Sequence, residues 1–327
     1  MLYLDDISAR QFWRSLEDPR LILGNCSTTN VLRGCPKNAK QLRRQLAEVP
    51  DWLPVHMMVG EENERVLKDE LACSLHCGAL PHGSFYHVQD AICVASPELM
   101  FVQAGRYMSL PELVKLGDEL CGVYSPARHL GGEHVERDIP LTDISSLRSF
   151  ISQANRVCGV KMARRALQHL MEGSASAMET ELVMLLCMPK RHGGFGLPSP
   201  RMNYRIDFDK SAAQIAGASY AKADLCWPEA KLDVEYDSDQ WHSSIESVSH
   251  DKARANALSR MGYKVIFVTN KQLSSTCAFE SIVELIAKNI RWRLRTPTAE
   301  ELEKRAQLRH ALDSSRRSPD FACRLPY

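Results

Sequence analysis

The pattern of apolar and polar positions is least regular in the first 140 residues. Helical spacing predicts a short helix over residues 8–16. Ser96-Pro97 reads as a helix N-cap followed by proline at the first helical position, and a second helix is expected over 110–120. Runs of β-branched and aromatic residues predict strands at residues 52–59, 83–89 and 91–96. Together these signals predict a small α+β domain.

From residue 142 onward the periodicity is clearer. Two amphipathic helices are followed by Ser176-x-x-Glu179, a capping box that opens a third helix. The rest of the pattern predicts strands at residues 203–208, 221–227, 232–237 and 263–269, a helix at 249–261 between the last two, and a closing helix around 279–290. The order is α-β-β-β-α-β-α. We expect the first three strands to form a meander through short turns, and the fourth to return parallel to a neighbour.

These patterns predict an α/β protein with a mixed sheet in its C-terminal part. A segment rich in Gly and Pro around residues 122–142 predicts the boundary between two domains. We therefore expect an N-terminal α+β domain at 1–140, an α/β domain at 141–295 and a basic tail at 296–327.

The stretch LDVEYDSDQWH at residues 232–242 is unusual because every polar position of its strand is acidic. Asp224 and Glu235 flank the tight connection between two adjacent strands, and Asp237 follows Glu235 by two residues on the same face. Carboxylates gathered in this way repel one another, and a divalent cation relieves that cost. Mg²⁺ prefers such oxygen ligands and commonly uses one or two carboxylates together with water and phosphate.

The order of these motifs resembles the PD-(D/E)XK nuclease superfamily, in the branch of the very-short-patch repair endonucleases and related bacterial endonuclease domains. The resemblance covers about residues 142–295 and rests on ADLCWPEAKLDVEYD, the following QWH, DKAR on a helix, and the strand GYKVIFV. It implies a restriction-endonuclease-like α-β-β-β-α-β core. Residues before this core look similar to those that precede it in bacterial proteins near abortive-infection antitoxins, which suggests no chemistry for them.

The resemblance also implies metal-dependent hydrolysis of a phosphodiester, with Mg²⁺ or Mn²⁺ as the cofactor. Asp224 and Glu235 would be the principal ligands, and Glu179 matches an acid that some members bring from the first helix. Asp237 stands where the superfamily often has lysine, so it would bind a second metal ion or orient water. His242 would act as general base or as the acid for the leaving group.

Several of these residues also have structural interpretations. Glu179 completes the capping box. Arg254 lies three residues after Asp251 and could pair with it or with the strands instead of phosphate. Asp233 is expected to be a solvated carboxylate at one end of the acidic run, as is Asp239 at the other. His242 could be a packed imidazole beside Trp241.

Composition adds few constraints. The chain has 327 residues and a formal net charge of +1, so an argument for nucleic acid must rest on local patches. The N-terminus lacks the features of a signal peptide and no apolar run approaches a membrane span, so a cytoplasmic protein with reduced thiols is expected. A zinc site is also possible, at a spacing that matches no common pattern; its ligands would be Cys73, His76, Cys77, His82 and His87.

Cationic side chains near the acidic strand are candidates for phosphate contacts. The segment from residue 291 to 317 carries eight basic and four acidic side chains, a net charge of +4, although alternating charge on a helix is typical of a solvated face. The candidates for nucleic-acid binding are Lys161, Arg164, Arg165, Lys190, Arg191, Lys252 and Arg254.

The sequence thus predicts a Mg²⁺-dependent DNA endonuclease or nickase acting in defence or repair. One alternative is a nuclease-fold protein without catalysis, an antitoxin-like regulator that binds DNA or a protein partner. The acid at the lysine position favours this alternative, whereas the Asp224 and Glu235 pair disfavours it. A second alternative is a toxin that cleaves RNA. A homodimer would suit cleavage of both strands.

Overall fold

The chain folds into two compact units, Met1–Glu172 and Gly173–Arg317. The computed structural model describes residues 1–16, 18–27, 31–32, 55–65, 71–89, 91–126, 135–237 and 245–317, with only the backbone at 89, 245–251 and 315–317.

The first unit is built on a mixed five-stranded sheet. Its strands and helices, in chain order, are β1 Leu2–Leu4, α1 Asp6–Ser15, α2 Arg20–Leu23, β2 Val55–Val59, β3 Leu71–Leu75, β4 Phe85–Gln89, β5 Ile92–Ala95, α3 Pro97–Ala104, α4 Leu110–Leu120, β6 Tyr124–Ser125, β7 Val135–Glu136, α5 Ile144–Gln153 and α6 Val160–Ala166. The sheet order is β3-β2-β1-β5-β4. β1 pairs parallel with β5 and antiparallel with β2, so the first strand of the chain lies at the centre of the sheet.

In the core of this unit, helices α1 and α3 pack against the sheet and α4 packs against α3. Trp13 on α1 is fully buried, and its indole N–H donates to the carbonyl oxygen of Ala95 at 2.8 Å. This hydrogen bond satisfies the one polar group of the indole, which makes complete burial of so large a ring favourable. Ser96 caps α3 through its side chain, as the Ser-Pro pattern predicts.

The second unit contains a mixed four-stranded sheet in the order β11-β10-β9-β8. Its elements are α7 Ala177–Cys187, β8 Arg201–Asp207, α8 Lys210–Ala216, β9 Tyr220–Trp227, β10 Leu232–Asp237, α9 Ile245–Arg260, β11 Lys264–Thr269, α10 Asn270–Ser274, α11 Thr276–Asn289 and α12 Ala299–Arg317. Strands β8, β9 and β10 are successively antiparallel, and β11 pairs parallel with β10 along all six residues. The predicted parallel return after a helix is confirmed.

The connection between β8 and β9 differs from the expected short turn, because it contains helix α8. Asp209 caps this helix through its side chain, and Gly217 ends it in the left-handed conformation. The connection between β9 and β10 is short as expected, a single 3-10 turn at Pro228–Ala230.

The predicted domain boundaries differ from those of the structure. Helices α5 and α6, placed by sequence in the second domain, pack against α3 and α4 of the first unit. The contact is close at Gly159, where a Cβ atom would lie 2.0 Å from the carbonyl oxygen of Val102. The predicted boundary at 140 follows the Gly and Pro content of the chain, whereas the packing of these two helices moves it to 172.

The C-terminal boundary also differs from the expected basic tail, because residues 299–317 form helix α12 within the second unit. Leu308 and Leu312 are buried on its inner face. The guanidinium groups of Arg305 and Arg309 lie over the rings of Phe195 and Phe279, at 3.9 and 4.9 Å from the ring centroids. Arg305 and Arg309 therefore pack against the core of the second unit and do not belong to a free basic tail. In the part of the chain that the structure describes, no helix is long and apolar enough to cross a membrane.

We predict that Phe279→Ala lowers the free energy of unfolding by about 3–5 kcal/mol, because the ring is fully buried against Phe195 and Arg309. Phe267→Ala is the matched control, since that ring is 47% exposed and should cost less than about 1 kcal/mol. Urea unfolding followed by circular dichroism measures both values. Equal losses for the two variants would contradict the packing described for α11 and α12.

Candidate functional site

The antiparallel pairing of β9 with β10 stops at the acidic residues. Trp227, Cys226 and Leu225 pair with Leu232, Asp233 and Val234, and no further pair follows. At the next step the Asp224 carboxylate accepts the backbone N–H of Tyr236 at 2.8 Å. A side-chain hydrogen bond therefore replaces the backbone ladder beside Glu235.

The pairing of β8 with β9 is also interrupted at this level. Met202 pairs with Leu225 and Tyr204 with Ala223, while Asn203 between them has φ of 45°. Asparagine tolerates this left-handed conformation better than most residues. Its side-chain N–H donates to Oε2 of Glu179 at 2.8 Å, which links β8 to the first turn of α7.

Arg254, on α9, contacts the acidic residues of β10. Its Nη2 donates to Oε1 of Glu235 and to the carbonyl oxygen of Lys222, the latter at 2.6 Å, and lies 3.9 Å from Oδ2 of Asp233. The Arg254 guanidinium thus contacts two carboxyl groups on β10 and one backbone carbonyl group on β9. The sequence assigned Arg254 to phosphate contacts or to structural pairing, and the structure shows pairing with the strands.

Burial dominates the electrostatics of the cluster. It raises the pKa of Asp224 to about 8, with further contributions from the charges of Glu235 and Glu179. Burial also raises the pKa of Glu235 to about 9, helped by its contact with the Asp233 carboxyl and opposed by Arg254. The three carboxyls of Asp224, Glu235 and Glu179 are therefore close enough to interact, and near neutral pH the cluster carries fewer negative charges than it has acids.

Asp233 is the residue that sequence reasoning placed wrongly. It was expected to be solvated, yet it is completely buried, and burial raises its pKa to about 6. Neither of its carboxylate oxygens has a hydrogen-bond partner of standard geometry among the described residues. A signal was available, since Asp233 and Glu235 are two apart on one strand and so lie on the same face.

The structure brings together some predicted site residues and separates others. Asp237 is exposed at the end of β10, and His242 lies outside the described residues, as do Asp239 and Trp241. Glu179 fulfils its capping role in modified form: Ser176 accepts the Glu179 N–H, and the Glu179 carboxylate accepts the N–H of Ala175.

The predicted nucleic-acid contacts fall on different parts of the chain. Three of them lie on α6 of the first unit, where Arg164 donates to the side chain of Asn155. Two form the 3-10 turn Lys190–His192 of the second unit, and Lys252 is exposed on α9. The residues on α6 are Lys161, Arg164 and Arg165.

Within the described ranges, no group of three or more His, Cys, Asp and Glu side chains has an arrangement that could hold a metal ion. This applies both to the carboxyl cluster and to the five candidate zinc ligands between residues 73 and 87. A site formed from Asp224 and Glu235 alone remains compatible with Mg²⁺, which often takes only one or two protein carboxylates and completes its shell with water and phosphate.

Comparison with known proteins finds two relatives, both from Mycobacterium tuberculosis. They are Uncharacterized protein MT2308 of strain CDC 1551 / Oshkosh and Uncharacterized protein Rv2248 of strain ATCC 25618 / H37Rv, each 25% identical over 122 residues. The match covers 37% of this chain and 40% of the length of each relative. No family model and no solved structure matches the chain.

The raised pKa values predict how stability depends on pH. The folded protein keeps protons on Asp224 and Glu235 at pH values where the unfolded chain, with pKa values of about 4, has released them. This contribution to stability is complete below about pH 4 and is lost as the pH rises through about 8 to 9. We predict that Asp224→Asn and Glu235→Gln each reduce the fall in melting temperature between pH 5 and pH 9.

Asp207→Asn is the matched control, because this acid of the same sheet is exposed and pairs with Arg205 on the surface. Buried acids of the first unit, such as Asp5 with a pKa of about 7, add the same trend to every variant and cancel in the comparison. Identical pH profiles for wild type and both cluster variants would contradict the interpretation.

Proposed function

We propose that the second unit is a metal-dependent phosphodiesterase that cleaves or nicks nucleic acid, with DNA as the expected substrate. The observation that carries the proposal is the meeting of the Asp224 and Glu235 carboxyls where the β9–β10 pairing ends. Clustered buried acids reduce the stability of the fold. Binding of a ligand that needs these carboxylates would explain why the protein keeps them together.

The order of elements supports the same proposal. Helix α7, the antiparallel strands β8, β9 and β10, helix α9 and the parallel strand β11 follow the order expected for a restriction-endonuclease-like core. Helix α8 departs from this expected order, because it is inserted between β8 and β9. The insertion precedes both Asp224 and Glu235 in the sequence. Insertion at such a connection changes a loop and leaves the β9–β10 turn intact.

Arg254 accounts for the missing lysine at position 237. The superfamily often has a lysine two residues after the glutamate, whereas here Asp237 is exposed and Arg254 donates directly to Glu235. A guanidinium at this place is a fixed donor that can stabilise negative charge developing on a phosphate. We therefore assign Arg254, and not Asp237, the electrostatic part of catalysis.

In this proposal Asp224 and Glu235 hold the cation and Glu179 orients the site through Asn203. A bound divalent cation would polarise the phosphate and lower the pKa of an attacking water. Because metal binding requires ionised carboxylates, both acids must lose their protons first. The chain's own contribution is to keep these carboxyls together and to supply the Arg254 cation.

A rival function is supported by the same contact. Arg254 already gives Glu235 a cationic partner without a metal, as expected of a nuclease-fold protein that binds nucleic acid or a protein partner without cutting. The two functions differ in their dependence on Asp224. Arg254 forms its ion pair with Glu235, and Asp224 has no ion pair of its own among the described residues. Only the metal-dependent function therefore needs the Asp224 carboxylate.

We predict that the wild-type protein nicks supercoiled plasmid with Mn²⁺ or Mg²⁺. Asp224→Asn and Glu235→Gln should each lower the rate at least about 100-fold, because each removes a charged ligand oxygen while preserving shape. Asp207→Asn should retain the wild-type rate. Gel electrophoresis of the plasmid over time measures all four proteins, and a labelled RNA of the same sequence tests the ribonuclease alternative.

Equal nicking by wild type and both cluster variants would mean a contaminating nuclease and would remove the proposal. Tight DNA binding without cleavage at any metal concentration would favour the binding function. The activity should also rise between pH 6 and pH 9, since Asp224 and Glu235 ionise in this range.

A further inference from the structure

A second feature of the Gly173–Arg317 unit is a basic groove between the turn at Lys190–His192 and the segment that joins α11 to α12. The open groove has a volume of about 680 Å³, within the range of sites that hold small ligands or ligand fragments. Five cationic and two acidic side chains line it, a net charge of +3. Its principal lining residues are Lys190, Arg191, Trp292, Arg293, Arg295 and Lys304.

The acidic residues of the groove do not balance this charge. Both oxygens of Glu301 are engaged within the protein, one by Arg295 and the other by the backbone N–H of Thr298 at 3.1 Å. Glu300 is exposed at the rim. Several cations of the groove therefore face solvent without an acidic partner of their own among the ion pairs of the described residues, and a polyanion would neutralise them.

Crowding among the cations is visible at Lys190. Burial lowers the pKa of its ammonium group, and the nearby charges of Arg295 and Arg305 lower it further, against the opposing effect of Glu301. Like charges held together in this way are destabilised, just as the acids of the carboxyl cluster are. An anion placed between Lys190 and Arg295 would reverse the effect.

Trp292 gives the groove an aromatic surface. Trp292 is 45% exposed, although large aromatic residues are usually well buried. The chain leaves α11 through Arg291, whose φ of 56° is left-handed, and the Trp292 N–H then donates to the carbonyl oxygen of Ala287 at 2.8 Å. This closed turn fixes the position of the Trp292 backbone at the groove.

We propose that this groove binds single-stranded nucleic acid, with the backbone phosphates on Lys190, Arg191 and Arg293 and one base stacked on Trp292. A cationic groove with an exposed aromatic ring is the arrangement that recognises unpaired strands, because every unpaired base offers a flat face and the phosphates follow the charge. Paired bases are already stacked within the duplex and are not free to stack on the indole. The proposal goes beyond the carboxyl cluster, since binding at the groove needs no cleavage.

The test is fluorescence anisotropy with a labelled dT12 oligonucleotide, a labelled rU12 oligonucleotide and a hairpin duplex, all in EDTA. The protein carries Asp224→Asn in every case, so cleavage of the labelled strand cannot be mistaken for loss of binding. We expect dT12 to bind more tightly than the duplex. In this background Trp292→Ala should weaken dT12 binding about 5- to 100-fold, and Trp292→Phe should retain most of it.

Charge variants separate the phosphate contacts from the stacking contact. Lys190→Gln and Arg293→Gln should each reduce the slope of log affinity against log salt concentration by about 0.7 for a single strand. Lys271→Gln is the matched control, an exposed cation on α10 that does not line the groove, and should leave the slope unchanged. Quenching of tryptophan emission by dT12 should disappear in Trp292→Phe although binding persists.

Three outcomes would overturn the proposal: binding of the duplex as tight as that of dT12, unchanged dT12 affinity in Trp292→Ala, or equal salt slopes for Lys190→Gln and Lys271→Gln. Circular dichroism melts of each variant verify that it is folded. Comparable affinity for dT12 and rU12 supports recognition of phosphate and base faces, which both strands share, and a strong preference for rU12 would direct the proposal to RNA.

Discussion

The second unit is organised around the burial of carboxyl groups in one place. Asp233 is fully buried, Glu235 nearly so, and Asp224 lies close enough for the charge of Glu235 to raise its pKa. Such a cluster opposes folding unless its charges are removed or compensated. The protein does both, because Asp224 and Glu235, with pKa values raised to about 8 and 9, keep their protons near neutral pH, and Arg254 donates to Glu235 from helix α9.

The surrounding structure serves this arrangement. The Tyr236 N–H donates to Asp224 instead of to a strand carbonyl, so the sheet opens where the acids meet. Asn203 adopts a left-handed backbone at the same level of β8 and connects the sheet to Glu179 on α7. Irregular backbone at one level of a sheet is often associated with function, because its cost must be offset by the surrounding packing.

Much of this unit could be predicted from sequence because its signals are local. The strand pattern predicts Asp224 and Glu235 on adjacent strands, and the short turn at Pro228–Ala230 makes those two strands antiparallel neighbours. Burial could be read only in part. Strand alternation puts Asp233 on the same face as Glu235, but its complete burial near Arg254 of helix α9 depends on tertiary packing.

Tertiary packing also explains where the structure differs from the expected C-terminal tail and domain boundary. The charges of α12 suggested a free tail, whereas the rings of Phe195 and Phe279 accept two of its arginines. The Gly and Pro content suggested a domain boundary near 140, and helix packing around Gly159 placed it at 172. Long-range contacts determined each of these features, and no local pattern reports them.

In the proposed function, Asp224 and Glu235 exchange protons for a divalent cation. Isothermal titration of Mn²⁺ at pH 7.5, in two buffers of different ionisation enthalpy, counts the protons released on binding. We expect the wild-type protein to release about one to two protons per ion, and the Asp224→Asn variant to release fewer. Mn²⁺ binding without proton release, or no Mn²⁺ binding by the wild-type protein, would contradict it.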